Sequence, residues 1–300
     1  MRLSTSTNIY FNRPDGSKAP IEASMALCAG AGYRVMDLNF HDCTTFRLPF
    51  VTDGWERWLF GLCELAESLG LTFRQAHAPF YNFCDPADPK REEVDRLLPR
   101  AIDCCAGLGI PWLVIHAGTD WSAQRPRRAS REKNLAYFRP VVDYALGRGV
   151  GIAFENLWDL TISPRRRYTA DAEELLDFVE AFGCKDLGVC WDTDHAALMG
   201  QDQRQSLALL GPWLRCTHIS DCLDVRADHL LPYHGMIDWD PVLDGLALAG
   251  YRGDFTYEIH RYTQSLPDEL VPDALAYSVS VGSHLLARAK ERKMMTHDGV

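Results

Sequence analysis

The chain has 300 residues, of which 47% are apolar, and carries a formal net charge of −10 at pH 7. A chain of this size can bury a full core, and its negative charge repels polyanions at long range, which counts against a nucleic-acid partner. The sequence has no run of the roughly 18 apolar residues that a membrane helix needs and no apolar leader after Met1, so we expect a cytoplasmic protein without a membrane partner.

The ten cysteines are spread through the predicted helices and strands and form no Cys-x-x-Cys pair. A chain of this length does not need disulfides for stability, so we expect reduced, mostly buried thiols. A cysteine-based zinc site has little support.

Apolar, β-rich runs alternate with amphipathic stretches along the whole chain, which is typical of βα units. The predicted strands are Arg2–Tyr10, Arg34–Phe40, Thr72–His77, Trp112–His116, Gly151–Glu155, Leu187–Asp192, Arg215–Ile219 and Asp254–Ile259. The predicted helices include Trp55–Leu69, Lys90–Leu108, Glu132–Leu146, Ala170–Phe182, Gln203–Leu210, Pro241–Leu248 and Asp268–Lys293. Glycines such as Gly70 and Gly109 directly follow helices and are expected to end them.

Eight such units in about 250 to 300 residues match an α/β fold, a (β/α)₈ TIM barrel. The sequence has no linker or compositional break, so we predict a single TIM-barrel domain over residues 1–293 and a flexible C-terminal tail over residues 294–300. An accessible apolar face could support a homo-oligomer, although one sequence does not locate it.

Four predicted strands each end in an acidic residue or a histidine: Glu155, Asp192, His218 and Glu258. The carboxyl ends of barrel strands converge on one mouth, so we expect these side chains to meet. This oxygen-rich set with one nitrogen suits Mn²⁺, Mg²⁺, Co²⁺ or Zn²⁺, and three carboxylates would repel one another without a cation. The pattern predicts one divalent metal ion. Each residue taken singly could instead make an ordinary hydrogen bond or salt bridge.

Three further histidines lie near the same predicted mouth. His77 and His116 close the third and fourth predicted strands, and His195 follows Asp192 in the segment D-T-D-H. Each could alternatively be a satisfied histidine near the core. A basic triplet, Arg165–Arg167, follows the fifth strand and is either a solvated loop or a contact to an anionic substrate group.

The segments HAPF, IHAG, FEN, CWDTDH, THISD, HLLPYHGMIDW and YEIH occur in an order and spacing that covers essentially the whole chain. In them the chain resembles the xylose-isomerase-like TIM barrel superfamily, which includes sugar phosphate isomerases and epimerases and, more distantly, endonuclease IV. The resemblance implies that the four strand-end residues ligate the metal and that Glu155 and Glu258 also exchange the substrate proton. It further implies that His195 binds a substrate hydroxyl and that Asn156 and Trp158 line the site, although Trp158 could simply pack under its loop.

The endonuclease IV branch uses three zinc ions. The resemblance to that branch implies a first site of His77, His116 and Glu155, and it places His195 and His229 in a third site. The aspartate that completes the third site in that branch corresponds to Ala227 here. This gap and the acidic net charge make a nuclease the minority interpretation, while a second metal at His77 and His116 remains open.

The chain also departs from the ketose 3-epimerases, which carry a substrate-binding glutamate and arginine where this chain has Thr161 and Asp224. Arg226 lies two residues beyond the arginine position and is a candidate substrate contact, as are His77, His116 and His229. These departures put ketose specificity in doubt and leave the metal chemistry intact. His116 could also act as a second acid or base, which would suit a lyase.

The leading hypothesis is a divalent-metal-dependent isomerase or epimerase of a sugar, sugar phosphate or inositol-derived ketone, with carbohydrate or polyol as its small-molecule partner. A metal next to a carbonyl and a hydroxyl acidifies the intervening C–H and stabilises an enediolate, while carboxylates on opposite faces remove and return the proton. A metal-dependent dehydratase or lyase on the same scaffold and an endonuclease IV-like zinc phosphodiesterase are the alternatives.

Overall fold

The computed structural model of the chain describes residues 1–158 and 166–297, with side chains as far as residue 292. Thr161 and Arg165 therefore lie outside the described residues. Within these ranges, eight parallel strands form one sheet in the order β7-β6-β5-β4-β3-β2-β1-β8. The strands are β1 Leu3–Ser6, β2 Val35–Asn39, β3 Thr72–His77, β4 Trp112–Ile115, β5 Gly151–Glu155, β6 Leu187–Asp192, β7 Leu214–His218 and β8 Phe255–Tyr257.

The sheet curves into a nearly closed barrel. β1 pairs with both β2 and β8, and a single parallel bridge between Ile219 and Tyr257 joins the end of β7 to β8. The backbone of Ile219 also donates to Thr256 at 2.7 Å across this seam. The predicted (β/α)₈ barrel is therefore confirmed.

Helices connect the strands and cover the outside of the barrel. They are α1 Ile21–Ala31, α2 Phe40–Thr45, α3 Trp55–Leu69, α4 Arg91–Leu108, α5 Pro126–Gly147, α6 Ala172–Glu180, α7 Thr193–Leu198, α8 Gln203–Leu210, α9 Trp239–Leu248 and α10 Val271–His297. Gly70 and Gly109 adopt left-handed backbone angles and end α3 and α4, as predicted. None of the described helices combines the length and apolarity needed to cross a bilayer.

Several element bounds differ from the sequence predictions. The predicted first strand overruns, because a 3-10 helix over Thr7–Tyr10 replaces its second half, and the Ser6 hydroxyl accepts from the Asn8 amide at its start. Helix α5 begins earlier than predicted, at Pro126, a residue type that suits the first helical turn. Helix α10 runs through His297, into the segment predicted as a flexible tail.

The interior of the barrel is apolar on one side and polar on the other. Val114, Ala153, Cys190 and Cys216 form a small buried cluster inside β4 to β7. On the other side, Asp37 of β2 is fully buried, and its carboxylate accepts from the Gln75 amide of β3 at 2.9 Å. A buried carboxylate requires hydrogen-bonding or charged partners. Asp37 lies directly beneath the residues at the barrel mouth, 3.4 Å from His218.

Candidate metal centre

The four strand-end residues meet at the carboxyl end of the barrel. Glu155, Asp192 and His218 are the last residues of β5, β6 and β7, and Glu258 directly follows β8. One potential ligand atom from each lies within 4.8 Å of those of the others. Nδ1 of His218 lies 2.9 Å from a Glu155 carboxylate oxygen and 3.1 Å from one of Glu258. We call these four residues the metal quartet.

Asp192 provides the test of whether the metal quartet fits a cation. Its Oδ1 accepts from the backbone amides of Asp194 and His195 and so caps helix α7. Its Oδ2 is buried and has no hydrogen-bond partner among the described residues. A buried carboxylate oxygen without a partner is costly unless a ligand satisfies it, and a divalent cation among these four side chains would do so.

The charges within the metal quartet are strongly coupled. Burial opposes ionisation of Glu155, but the imidazoles of His218 and His116 outweigh it and hold the pKa of this carboxyl well below its ordinary value. Burial and the charges of Asp194 and Glu155 raise the pKa of Asp192 well above its ordinary value. The carboxyl of Asp192 therefore lacks enough positive charge around it to ionise readily, and a cation in the quartet would supply that charge.

A buried carboxylate orients the histidine of the metal quartet from behind. Nε2 of His218 lies 3.4 Å from Oδ2 of Asp37, which the amide of Gln75 holds in place. His218 therefore directs Nδ1 towards Glu155 and Glu258 while its other nitrogen faces an acceptor. A carboxylate behind a ligating histidine fixes the ring and raises its basicity, as second-sphere partners do in metal sites.

Glu155 also belongs to a second group of potential ligands, formed with His77 and His116. Its second oxygen lies 3.0 Å from Nε2 of His116 and 3.4 Å from Nε2 of His77. Nδ1 of His77 donates to the Ala78 carbonyl at 2.9 Å, so Nε2 of that ring, 3.1 Å from Nε2 of His116, carries the lone pair. We call these three residues the histidine-pair site. These three side chains are close enough together to hold the second metal that the sequence left open.

The metal quartet lies at the base of a cavity of about 360 Å³ at the barrel mouth. The cavity is lined by Asn8, Asn12, Asn39, His41, Asp42, Thr45, Phe46, His77, Phe80, His116, Glu155, Leu157, Trp158, Arg167, His195, His229, Glu258 and His260. The predicted contacts His77, His116, His195, His229 and Trp158 all reach it.

Two predicted substrate contacts lie elsewhere. The Asn156 side chain is fully buried and bonds the backbone of Asp192 through both its oxygen and its nitrogen, so it positions the metal quartet rather than lining the cavity. Arg226 is exposed in the turn that Asp224 and Ala227 close, outside the cavity lining. Arg226 lies two residues beyond the arginine position of the ketose 3-epimerases, and its side chain does not line the cavity.

The sequence interpretation missed three acidic residues of the site. Asp37 interrupts the otherwise apolar segment VMDLN, and a carboxylate within such a segment signals a buried polar partner. Asp194 is the middle residue of T-D-H, and the sequence analysis assigned it no role. Asp42 lines the cavity, and burial together with the charge of Glu258 raises its pKa to about 7.

Comparison with known proteins places this geometry in a family. The chain is 30% identical over 215 residues to an uncharacterized protein, y4fM, of Sinorhizobium fredii, a match that covers 67% of this chain and 64% of that protein. The chain therefore spans less than two thirds of the length of this relative.

Solved structures of sugar epimerases share the fold at low identity. A D-tagatose 3-epimerase-like protein superimposes with a TM-score of 0.74 at 20% identity, covering 97% of this chain and 99% of its own. D-psicose 3-epimerase from Clostridium cellulolyticum gives a TM-score of 0.73 at 16% identity, with 95% and 99% covered. The 3-keto-D-glucoside 4-epimerase of E. coli gives a TM-score of 0.70 at 16% identity, and the match covers 93% of this chain and 99% of that one.

The family model of the xylose isomerase-like TIM barrel matches residues 25–280, which include all members of the metal quartet and the histidine-pair site. The chain belongs to the xylose isomerase-like TIM barrel family.

Proposed function

We propose that the protein is a divalent-metal-dependent isomerase or epimerase of a small polyhydroxy carbonyl compound. One observation carries this proposal. Within the metal quartet, Glu155 and Glu258 line the cavity, whereas Asp192 and His218 do not. The two carboxylates that line the cavity come from β5 and from the end of β8, on either side of His218.

This arrangement suits proton exchange at a carbon next to a carbonyl group. His218 lowers the pKa of both Glu155 and Glu258 against the effect of burial, so both carboxylates are ionised and able to accept a proton. A divalent cation in the quartet would supply the positive charge that stabilises the anion left when the C–H is ionised. One glutamate removes the proton and the other returns it from the opposite side, which inverts the carbon.

The lining of the cavity supports a carbohydrate or polyol as the substrate class. Asn8, Asn39 and Asp42 offer hydrogen-bonding groups to hydroxyls, and Phe80 and Trp158 offer flat apolar surfaces. The volume of about 360 Å³ falls within the usual range of pockets for small molecules. Arg167 is an exposed guanidinium at the rim and would favour a substrate that carries phosphate or carboxylate at its outer end.

The test is solvent deuterium exchange. Ketoses, inosose and their phosphates are incubated with the protein in D₂O with and without Mn²⁺, and deuterium at the carbon next to the carbonyl is followed by NMR. Metal-dependent incorporation without a change in the carbon skeleton is the expected result. Loss of water or cleavage of the chain, seen as a change in product mass, would instead support a dehydratase or lyase with His116 as the additional acid.

The histidine-pair site favours one further candidate, a zinc phosphodiesterase. Glu155 contributes one oxygen to the metal quartet and the other to His77 and His116, so two cations could share this carboxylate as in two-metal hydrolases. The net charge of −10 opposes a nucleic-acid substrate. Zinc-dependent hydrolysis of an abasic-site DNA duplex or of bis(p-nitrophenyl) phosphate, without proton exchange on any ketose, would reverse the order of the two proposals.

A further inference from the structure

A second cavity, of about 330 Å³, adjoins the one above the metal quartet. Both linings include Phe80, His116, Leu157 and Arg167, so the two spaces are contiguous at these four residues. The rest of its wall comes from the loops that follow β3 and β4. We call this space the outer cavity. Among the described residues that line it, none belongs to the metal quartet, so it can receive only a part of the substrate that does not react.

The two loops that build the outer cavity are bonded to each other through the side chain of Asn82. Its Oδ1 accepts from the Thr119 amide at 2.8 Å, and its Nδ2 donates to the Thr119 carbonyl at 2.9 Å. The Thr119 hydroxyl in turn accepts from the backbone amide of Tyr168 at 2.9 Å. A Cβ at Gly118 would lie 2.9 Å from the same Asn82 oxygen, so the loops pack closely. The outer cavity is therefore formed before any ligand binds.

These bonds engage the side-chain acceptors that belong to the outer cavity alone. Asn82 and Thr119 hold backbone amides, and so does Asp88, the acidic residue among the described lining residues. One carboxylate oxygen of Asp88 accepts from the amide of Asn82 at 3.2 Å, and the other accepts from the amide of Lys90 at 2.9 Å. Sugar hydroxyls need acceptors as well as donors. The outer cavity is therefore poorly suited to a neutral polyol.

Two cationic side chains line the outer cavity, Lys90 at the start of α4 and Arg167 at the boundary with the first cavity. Both are exposed. The neighbouring Arg166 is neutralised by ion pairs with Asp171 and Glu174. Within the described parts of the chain, by contrast, neither Lys90 nor Arg167 forms an ion pair. The outer cavity thus offers positive charge in a chain whose net charge is −10, and it attracts anions.

Two aromatic side chains supply the apolar part of the wall. Phe80 and Trp121 both line the outer cavity and are partly exposed. Phe80 is held by stacking on the ring of His41, with centroids 3.9 Å apart and an interplanar angle of 13°. With about 330 Å³ against about 360 Å³, the outer cavity is nearly as large as the first. It has room for an acidic group and for the atoms that join this group to the reacting unit.

We infer that the outer cavity is a subsite for an acidic group, a phosphate or a carboxylate, at the end of the substrate remote from the reacting carbonyl. Lys90 and Arg167 bind this group, and the planar guanidinium of Arg167 matches the oxygens of either anion. The inference rests on the proposed function only for the position of the reacting carbonyl, in the first cavity. Lys90 determines specificity and takes no part in proton exchange.

Calorimetric titration of the Mn²⁺-loaded full chain tests this subsite with four ketoses that differ only at C6. They are D-fructose, D-fructose 6-phosphate, D-fructuronate and isomaltulose, which carries a neutral glucose unit on the C6 oxygen. We expect an acidic probe to bind about tenfold more tightly than D-fructose, and isomaltulose to show no such gain. The larger gain of the two acidic probes identifies phosphate or carboxylate as the preferred group.

Variants assign the gain to the outer cavity. Lys90→Gln and Arg167→Gln should each remove most of the ratio between the affinities for the acidic probe and for D-fructose. Lys185→Gln, at an exposed position just before β6, is the matched control and should keep the full ratio. Thermal unfolding shows that each variant retains its fold, which we expect because both cations are exposed.

Equal affinities for the acidic probes and D-fructose would overturn the inference. A gain that both variants retain would also overturn it, because the anion would then bind elsewhere, and so would an equal gain with isomaltulose. Deuterium exchange separates these results from a failure of the proposed function. If the variants lose the gain but no ketose exchanges deuterium, the subsite stands and the isomerase proposal fails. If exchange occurs and the affinities are equal, the subsite alone fails.

Discussion

Nδ1 of His218 lies 2.9 Å from Oε1 of Glu155, and both side chains are fully buried at the barrel mouth. This contact joins the ends of β5 and β7 across the intervening β6, whose last residue is Asp192. The same imidazole nitrogen also faces Glu258, at 3.1 Å. One nitrogen thus brings together the two glutamates that line the cavity.

Metal removal should destabilise the unaltered protein and have little effect on Asp192→Asn. Adding Mn²⁺ to chelator-treated protein should raise its free energy of unfolding by about 2.7 kcal/mol at a hundredfold excess over the dissociation constant. Asp192→Asn should lose most of this gain, because it loses a ligand. Without metal, this variant should be at least as stable as the unaltered protein, since it removes a buried carboxylate whose ionisation its neighbours oppose.

Thermal unfolding with and without Mn²⁺ measures both effects. Asp186→Asn, at an exposed position just before β6, is the matched control and should gain stability from the metal as the unaltered protein does. An equal gain in Asp192→Asn would show that the metal binds elsewhere.

Asp37→Asn should weaken metal binding although Asp37 is not one of the four residues of the metal quartet. The carboxylate of Asp37 lies behind Nε2 of His218, and second-sphere changes of this kind typically cost about 10- to 100-fold in metal affinity. Calorimetric titration with Mn²⁺ measures the affinity, and unfolding of the metal-free protein shows whether the fold is retained. A stable variant with unchanged affinity would assign Asp37 a purely structural role.

The carboxyl group of Asp42 should make stability pH-dependent. Its pKa is raised to about 7 in the folded protein by burial and by the charge of Glu258. Between its ordinary pKa, near 4, and pH 7, the folded state binds more protons than the unfolded state, so this group makes the protein less stable as the pH rises. The fall in the free energy of unfolding caused by Asp42 should be complete at pH values above its folded-state pKa.

Asp42→Asn lacks this titration. Its stability relative to the unaltered protein should therefore increase between pH 4.5 and pH 7.5, as measured by urea unfolding of metal-free samples. The exposed Asp53→Asn should track the unaltered protein across the same range. A constant difference between Asp42→Asn and the unaltered protein would contradict the assignment.

Gly118 should tolerate no side chain. It lies in the loop that follows β4 and His116, and a Cβ placed there would come within 2.6 Å of the Cys84 backbone nitrogen and 2.8 Å of that of Phe83. Gly118→Ala should therefore reduce the free energy of unfolding by about 1–3 kcal/mol. Gly61→Ala, in the exposed middle of α3 where a Cβ meets no other atom, should instead stabilise by about 0.5–1 kcal/mol. Urea denaturation measures both changes, and equal effects would contradict the steric argument.

The sequence predicted the barrel well where local pattern decides structure. The bounds of β3, β5 and β6 match the predictions, because their apolar runs end sharply in polar residues. Strand β1 was predicted too long, because capping by the Ser6 hydroxyl turns the chain into a 3-10 helix and apolar pattern carries no signal of that turn.

The site was predictable only in part, because some of its residues are brought together by loops and by packing rather than by local pattern. The members of the metal quartet stand at strand ends, so barrel topology alone brings them together. The role of Asp194 depends on a loop residue, His229, whose backbone it holds from 35 positions away. Asp37 likewise acts through His218 across the barrel interior. Such contacts are set by the packed structure and leave no periodic signal in the chain.

If Glu155 and Glu258 carry the substrate proton at a metal centre, Glu258→Gln should abolish proton exchange and leave sugar binding measurable. The variant is loaded with Mn²⁺ at a concentration that saturates it, and sugar binding and deuterium exchange are measured on the same sample. The exposed Glu64→Gln of α3 is the control. We expect Glu258→Gln to bind sugar measurably but to exchange no proton, while Glu64→Gln exchanges normally. Normal turnover by Glu258→Gln would contradict the two-glutamate mechanism.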